Sequence, residues 1–229
     1  MLKLDLFARR NFTIANAETL TIYAGISILL FFLVIYLQQV AGWSAVRSGL
    51  VTLPLTIVMF LLSRRFGMLA DRFGPRLFMG FGPLIAAGGI LLLLRVDEHV
   101  SYWTDLLPGL LVFSLGLSMT VAPLTATVLA DADESDAGIA SAINNAIARI
   151  AGLLGISVIG VVVASRLAGD TFAANNASVQ AFHEALMLCA ALVAAGGVIG
   201  LIGIVNPRRP LLAKGCAGGQ LVGAPEAAA

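Results

Sequence analysis

Charge is what this sequence has least of. Of its 229 residues only 12% are Asp, Glu, Lys or Arg, about half the share of roughly 25% expected of a soluble domain. An ionised side chain at the middle of a bilayer costs about 3 kcal/mol or more, so a chain this poor in charge and 59% hydrophobic is suited to lipid. Its net charge of +1 points to neither an electrostatic nucleic-acid partner nor a charge-held surface anchor. Cysteine is also scarce. Cys189 lies in an apolar run and Cys216 near the end, which gives neither a disulfide framework nor a metal-ligand pair, and no cofactor is called for. Met1 to Arg10 has no apolar core ahead of a small-residue cleavage site, as a signal peptide would need.

Long apolar runs are abundant, and the mean hydropathy is +0.95. A hydrocarbon core of about 30 Å takes about 20 helical residues to cross. Six runs suffice: Thr13–Val40, Val46–Leu62, Leu77–Leu94, Leu106–Leu129, Gly138–Ser165 and Ala181–Val205. Helices are required, because an open strand would leave its backbone unpaired in lipid. The expected fold is all-α, a six-helix transmembrane bundle over residues 13–205. Residues 1–12 form a cytoplasmic lead-in, and 206–229 a Gly- and Ala-rich tail expected to be disordered.

Basic residues orient the bundle. One side gathers ten: Lys3, Arg9, Arg10, Arg64, Arg65, Arg72, Arg76, Arg208, Arg209 and Lys214. The other has Arg47, Arg95 and Arg166, and Arg149 falls inside a span. Both termini are therefore expected in the cytoplasm of a multi-pass cell-membrane protein. The loop with Asp131, Asp133, Glu134 and Asp136 is acidic yet falls on the basic side by alternation, which is tolerable because acidic residues orient weakly. Trp43, Tyr102 and Trp103 fall at the opposite boundary, where interfacial aromatics belong.

Polarity follows a three-plus-three order. Spans 1 and 2 carry Thr19, Thr21, Ser27, Gln38, Gln39, Thr52 and Thr56, whereas span 3 has no polar side chain between Leu77 and Leu94. Span 4 then brings Ser114, Ser118, Thr120, Thr125 and Thr127, span 5 brings Ser141, Asn144, Asn145, Arg149 and Ser157, and span 6 has none beyond Glu184. Two three-helix repeats, with spans 3 and 6 toward lipid and the others lining a cavity, would give this order. Any single Ser or Thr more often bonds to its own helix.

The most specific local signal is Gly67-Met-Leu-Ala-Asp71-Arg72-Phe-Gly74-Pro-Arg76 between spans 2 and 3. Gly67 would let two helices approach, and Asp71 could accept from a helix start and an arginine. Arg72 and Arg76 would sit at phosphate depth. This loop resembles the signature of the major facilitator superfamily, Gly-x-x-x-Asp-Arg-x-Gly-x-Arg. Tyr36-Leu37-Gln38 with Gly42, Ser44, Gly49-Leu50 and Leu53-Pro54 is similar to the ninth and tenth helices of the superfamily's fourteen-helix drug:proton antiporters. Leu107-Pro108-Gly109 with Ala122-Pro123-Leu124-Thr125 resembles their twelfth, and Ala137-Gly138 through Ser141, Asn145, Arg149 and Gly152 their thirteenth. Leu4-Asp5-Leu6-Phe7 to Asn11-Phe12 is similar to the linker before the ninth.

That resemblance implies the C-terminal six-helix half of a major facilitator fold, and export of drugs or other amphipathic small molecules in exchange for protons. The N-terminal half, two extra helices and the antiporter signature have no counterpart here. The expected partners are therefore the bilayer, a small-molecule substrate, protons and a missing N-terminal half. The alternative is a non-transporting fragment or membrane scaffold. Candidate cavity residues are Arg149, Asn145, Asn144, Ser141 and Gln38. Arg149 lies 12 residues past Ala137, about 18 Å along a helix and near the midplane. Ser141, Asn145 and Arg149 recur every four residues and share a face. Glu18, roughly 8 Å into span 1, and Glu184 are expected to be interfacial, leaving the principal proton carrier to the absent half. An intramembrane serine protease is not expected, because Ser27, Ser118 and Ser157 each lack the following glycine of its Gly-x-Ser-Gly turn.

Overall fold

The computed structural model describes residues 4–167, 173 and 175–206. Seven α-helices follow in order: α1 Arg10–Gln39, α2 Ala45–Leu50, α3 Leu53–Phe73, α4 Pro75–Leu92, α5 Leu107–Ala130, α6 Ala137–Arg166 and α7 Asn176–Gly203. With α2 and α3 counted as one broken span, six are long and apolar enough to cross a membrane. Of the expected tail, 206–229, only Asn206 is described, and it is held against Gly74 and Arg76 rather than disordered; the remainder lies outside the described residues.

The largest difference from the expected spans is in the second. It was expected to end at Leu62, yet α3 runs on to Phe73. Arg64, Arg65, Met68, Leu69 and Arg72 are good helix formers, so the helix continues beyond its apolar stretch. The turn into α4 is Gly74 alone, at φ +90°, a conformation that favours glycine. Pro75 then starts α4, where a missing N–H costs nothing.

The helices form two interlocked triplets. In the middle α1 meets α5. Helix α1 also packs on α6 and α7, while α5 packs on α3 and α4, and α4 meets α7 behind them. Exchanging α1, α3 and α4 for α5, α6 and α7 reproduces the same contacts, which is the internal symmetry that the polarity order anticipated. The seams are close. A Cβ at Gly89 would stand 2.3 Å from the backbone nitrogen of Phe113, so α4 and α5 touch backbone to backbone. Across the α1–α7 seam, Tyr36 stacks on Phe182 with centroids 4.2 Å apart.

The expectation for spans 3 and 6 needs refining. Helices α4 and α7 do present apolar residues outward, among them Phe81, Leu91, Val198 and Ile202. They are nevertheless central to the packing. The least covered helices are α3, where Ala70 is the one fully buried residue, and α6, with Leu153 and Val161 both at least 70% exposed. Four of the five polar side chains of α5 turn into seams, and only Thr125 is exposed, donating to Val121 O at 3.0 Å. Ser114, Ser118, Thr120 and Thr127 are buried. The first three donate to the carbonyls of Leu110, Ser114 and Gly116 on their own helix.

Candidate functional site

The loop motif joins two helix ends. Gly74 closes α3 by donating its N–H to Ala70 O at 2.8 Å. Asn206 packs against Gly74 and accepts from the Arg76 N–H at 3.1 Å, which satisfies one of the free donors at the start of α4. The Arg76 guanidinium donates to Leu201 O at 2.6 Å, a placement that also suits the negative end of α7. Arg10 does the same for Gly203 O at 2.9 Å. Asp71 is half-buried and makes no hydrogen bond or ion pair among the described residues, contrary to the helix-start and arginine contacts expected of it. Arg72 lies over the Phe73 ring at 5.5 Å. Gly67 does bring α3 against α5, but a Cβ there would make ordinary contact with Ala122 at 3.6 Å. Close approach does not demand glycine at that position.

The acidic loop lies at this same end, as alternation required. Asp131 accepts from the Phe12 N–H at 3.0 Å near the start of α1, and its carbonyl oxygen accepts from Arg9. Arg9 also pairs with Asp133 at 2.6 Å. This pinning explains why α1 begins at Arg10 rather than at Thr13. At the opposite end Arg166 pairs with Glu184 at 2.9 Å, which puts Glu184 at the surface.

The five candidate cavity residues do not form one site. Asn144 turns into the α1–α6 seam and donates to Asn16 Oδ1 at 3.1 Å and Thr19 Oγ1 at 2.8 Å. Ser141 is half-buried, and its carbonyl accepts from Asn145 at 3.1 Å. Asn145 and Arg149 are exposed on the open face of α6, and the Arg149 guanidinium makes no hydrogen bond or ion pair among the described residues. Gln38 is next to last in α1, roughly 28 Å along the helix from Thr19. It belongs to a different level of the bundle. A separate apolar cavity of about 250 Å³ lies where α1, α6 and α7 meet, lined among others by Leu20, Ile28, Leu154, Val158 and Leu188.

Glu18 does not reach solvent as an interfacial carboxylate would: it is fully buried, and neither carboxylate oxygen has a hydrogen-bond partner among the described residues. Depth along the chain was a poor guide, because α1 starts earlier and α7 covers this face. A better sequence signal was the glycine stripe Gly196, Gly200 and Gly203, which marks the groove into which α1 settles.

Comparison with known proteins agrees with this architecture. The chain is 27% identical over 163 residues to the probable actinorhodin transporter of Streptomyces coelicolor, covering 70% of this chain and 28% of that protein. It is 34% identical over 148 residues to the tetracenomycin C resistance and export protein of Streptomyces glaucescens, covering 62% and 26%. With the multidrug resistance protein Stp of Mycobacterium tuberculosis it shares 29% over 167 residues, covering 73% and 31%. The chain thus spans between a quarter and a third of the length of these relatives. The family model described as Major Facilitator Superfamily matches residues 3–156. With six spans in two interlocked triplets and that match over most of its length, the chain belongs to the Major Facilitator Superfamily, a family of membrane transporters and not of enzymes.

Proposed function

We propose that this chain is the C-terminal six-helix half of a fourteen-helix drug:proton antiporter in the cell membrane. It exports amphipathic organic molecules in exchange for protons, and an N-terminal half supplies the opposing wall. Relatives named for tetracenomycin C export and for multidrug resistance support the substrate class. The ten basic residues on one side support cytoplasmic termini.

The observation that carries the reading is Arg149. It is exposed on α6, about 18 Å past Ala137, with Asn145 one turn before it and exposed Ile150 and Leu153 beside it. A guanidinium at that depth cannot face hydrocarbon cheaply, so this face needs water or protein against it. Both sparsely covered helices, α3 and α6, leave room for a second bundle, and alternating access requires two bundles around a midplane site. Arg149 then meets a carboxylate of the other half or an anionic group of the substrate.

Export by the complete transporter tests this. A charged hydrogen bond of about 1.5–3 kcal/mol corresponds to roughly tenfold or more in rate if it is made in the transport step. Arg149→Lys should fold and export slowly, because an ammonium lacks the two-pronged geometry. Arg149→Ala should be slower still. Normal rate and normal pH dependence in Arg149→Ala would remove the functional role.

A further inference from the structure

Helix α1 sits on α7 through one stripe of residues. Ile14 faces Gly203, Glu18 faces Gly200, Ile22 faces Gly196, and Gly25 faces Val193. These positions recur every three or four residues and form one helix face. Three of the four carry no polar side chain. Glu18 is the exception, and it is completely enclosed.

The third wall of the enclosure is α4. A Cβ at Gly200 would stand 2.9 Å from Glu18 Oε2 and 2.8 Å from the carbonyl oxygen of Met79, so both oxygens border the same point. The Met79 carbonyl is unusual for a simple reason. In an α-helix its donor would be the N–H four residues on, and residue 83 is proline, which has none. The seam therefore holds a carboxyl group without a partner next to a backbone acceptor that has lost its helical donor.

Among the described residues, the walls hold no charge placed to stabilise an ionised Glu18. Helix α5 has no titratable residue, and the only basic residue of α4 is Arg76, exposed and bound to Leu201 O. On α7 the titratable residues are His183, Glu184 and Cys189. The first two are near its far end, and Cys189 donates to Gly25 O. On α6 they are Arg149 and Arg166, exposed. Helix α1 itself offers Arg10, two turns away on Gly203 O and Ile202 O, and Tyr23 and Tyr36. An isolated carboxylate in such a seam is far less favourable than the neutral acid. Protonation also gives Glu18 a donor that the Met79 carbonyl can accept.

We propose that Glu18 is a proton-binding site, held as the neutral acid in the seam of α1, α4 and α7 with its O–H directed at the Met79 carbonyl that Pro83 leaves free, and that its proton leaves when the seam opens. Release breaks the Glu18 O–H bond, leaves the electron pair on the carboxylate and passes the proton to water admitted by the opening. This deepens the proton-exchange reading and rests on it for a role in transport. The protonation itself is a property of the chain alone, so the two can fail separately.

The test is carbon-13 NMR of the full chain in lipid nanodiscs, labelled at glutamate side-chain carboxyls. The five glutamates are Glu18, Glu98, Glu134, Glu184 and Glu226. At neutral pH one resonance should report a protonated acid, and it should vanish in Glu18→Gln and in Glu18→Asp, which keeps an acid but not the label. Pro83→Ala returns a donor to Met79 and should move that resonance alone. Spin labels at the exposed Leu20 and Val198 should separate as the resonance ionises at high pH, and stay put in Glu18→Gln. Five resonances that all report carboxylates at neutral pH overturn the site, whatever export assays show. Ionisation without separation overturns the opening step. Absence of gradient-driven export by the chain assembled with an N-terminal half, with the protonated resonance intact, would count against the exporter reading alone.

Discussion

Removing the Asn144 side chain separates two readings of span 5, one in which it lines a cavity and one in which it holds helices together. Asn144 donates to Asn16 Oδ1 at 3.1 Å and to Thr19 Oγ1 at 2.8 Å. Thr19 and Asn16 also donate to the carbonyls of Ala15 and Phe12 one turn back on α1. In Asn144→Ala both keep those bonds, but the buried Asn16 Oδ1 loses its donor. Hydrogen bonds between membrane helices average about 0.6 kcal/mol and reach about 1.7, so the two together predict a loss of roughly 1–3 kcal/mol. Unfolding of the purified chain by SDS in mixed micelles, followed by circular dichroism, measures it. A double-mutant cycle with Thr19→Val should return a coupling of about 0.6 kcal/mol or more. A variant within about 0.3 kcal/mol of wild type, with no coupling beyond the usual error of additivity, would refute the packing role and return Asn144 to the cavity.

Two glycines should differ sharply in their response to the same substitution. Gly89→Ala drives a Cβ to 2.3 Å from the Phe113 backbone nitrogen and should destabilise by about 1–3 kcal/mol or more, whereas Gly67→Ala makes ordinary contact with Ala122 and should cost under about 0.5 kcal/mol; the same unfolding titration reads both. Single cysteines at Arg64 or Arg72 should resist a membrane-impermeant thiol reagent in intact cells and react after permeabilisation, and labelling without permeabilisation would reverse the proposed orientation.

Much of the fold was legible because bilayer physics is simple. Apolar length fixed the number of spans, and the polar order of the two triplets matches the exchange symmetry of their contacts. Burial was harder to read. A threonine such as Thr120 looks the same in sequence whether it lines a cavity or bonds Gly116 O within a seam, because both outcomes satisfy its hydroxyl. The burial of Glu18 is not legible from its distance along the chain, because Asp131 pins α1 earlier than its apolar run begins and α7 closes over that face. The Asp71–Arg76 segment was legible as a motif but not as a contact. Its strongest links run to Leu201 and Asn206, 125 and 130 residues away in sequence, a separation at which local pattern carries no information.

The central claim is that these residues supply one wall of an exporter that needs two. The direct measurement is dye export from proteoliposomes under an imposed pH gradient, with the 229-residue chain alone and with the chain assembled with a candidate N-terminal half. The account predicts no gradient-driven export above protein-free vesicles for the chain alone, and export for the pair that collapses when the gradient is removed. Gradient-driven export by the chain alone, at the rate of the pair and with no sign of self-association, would contradict it.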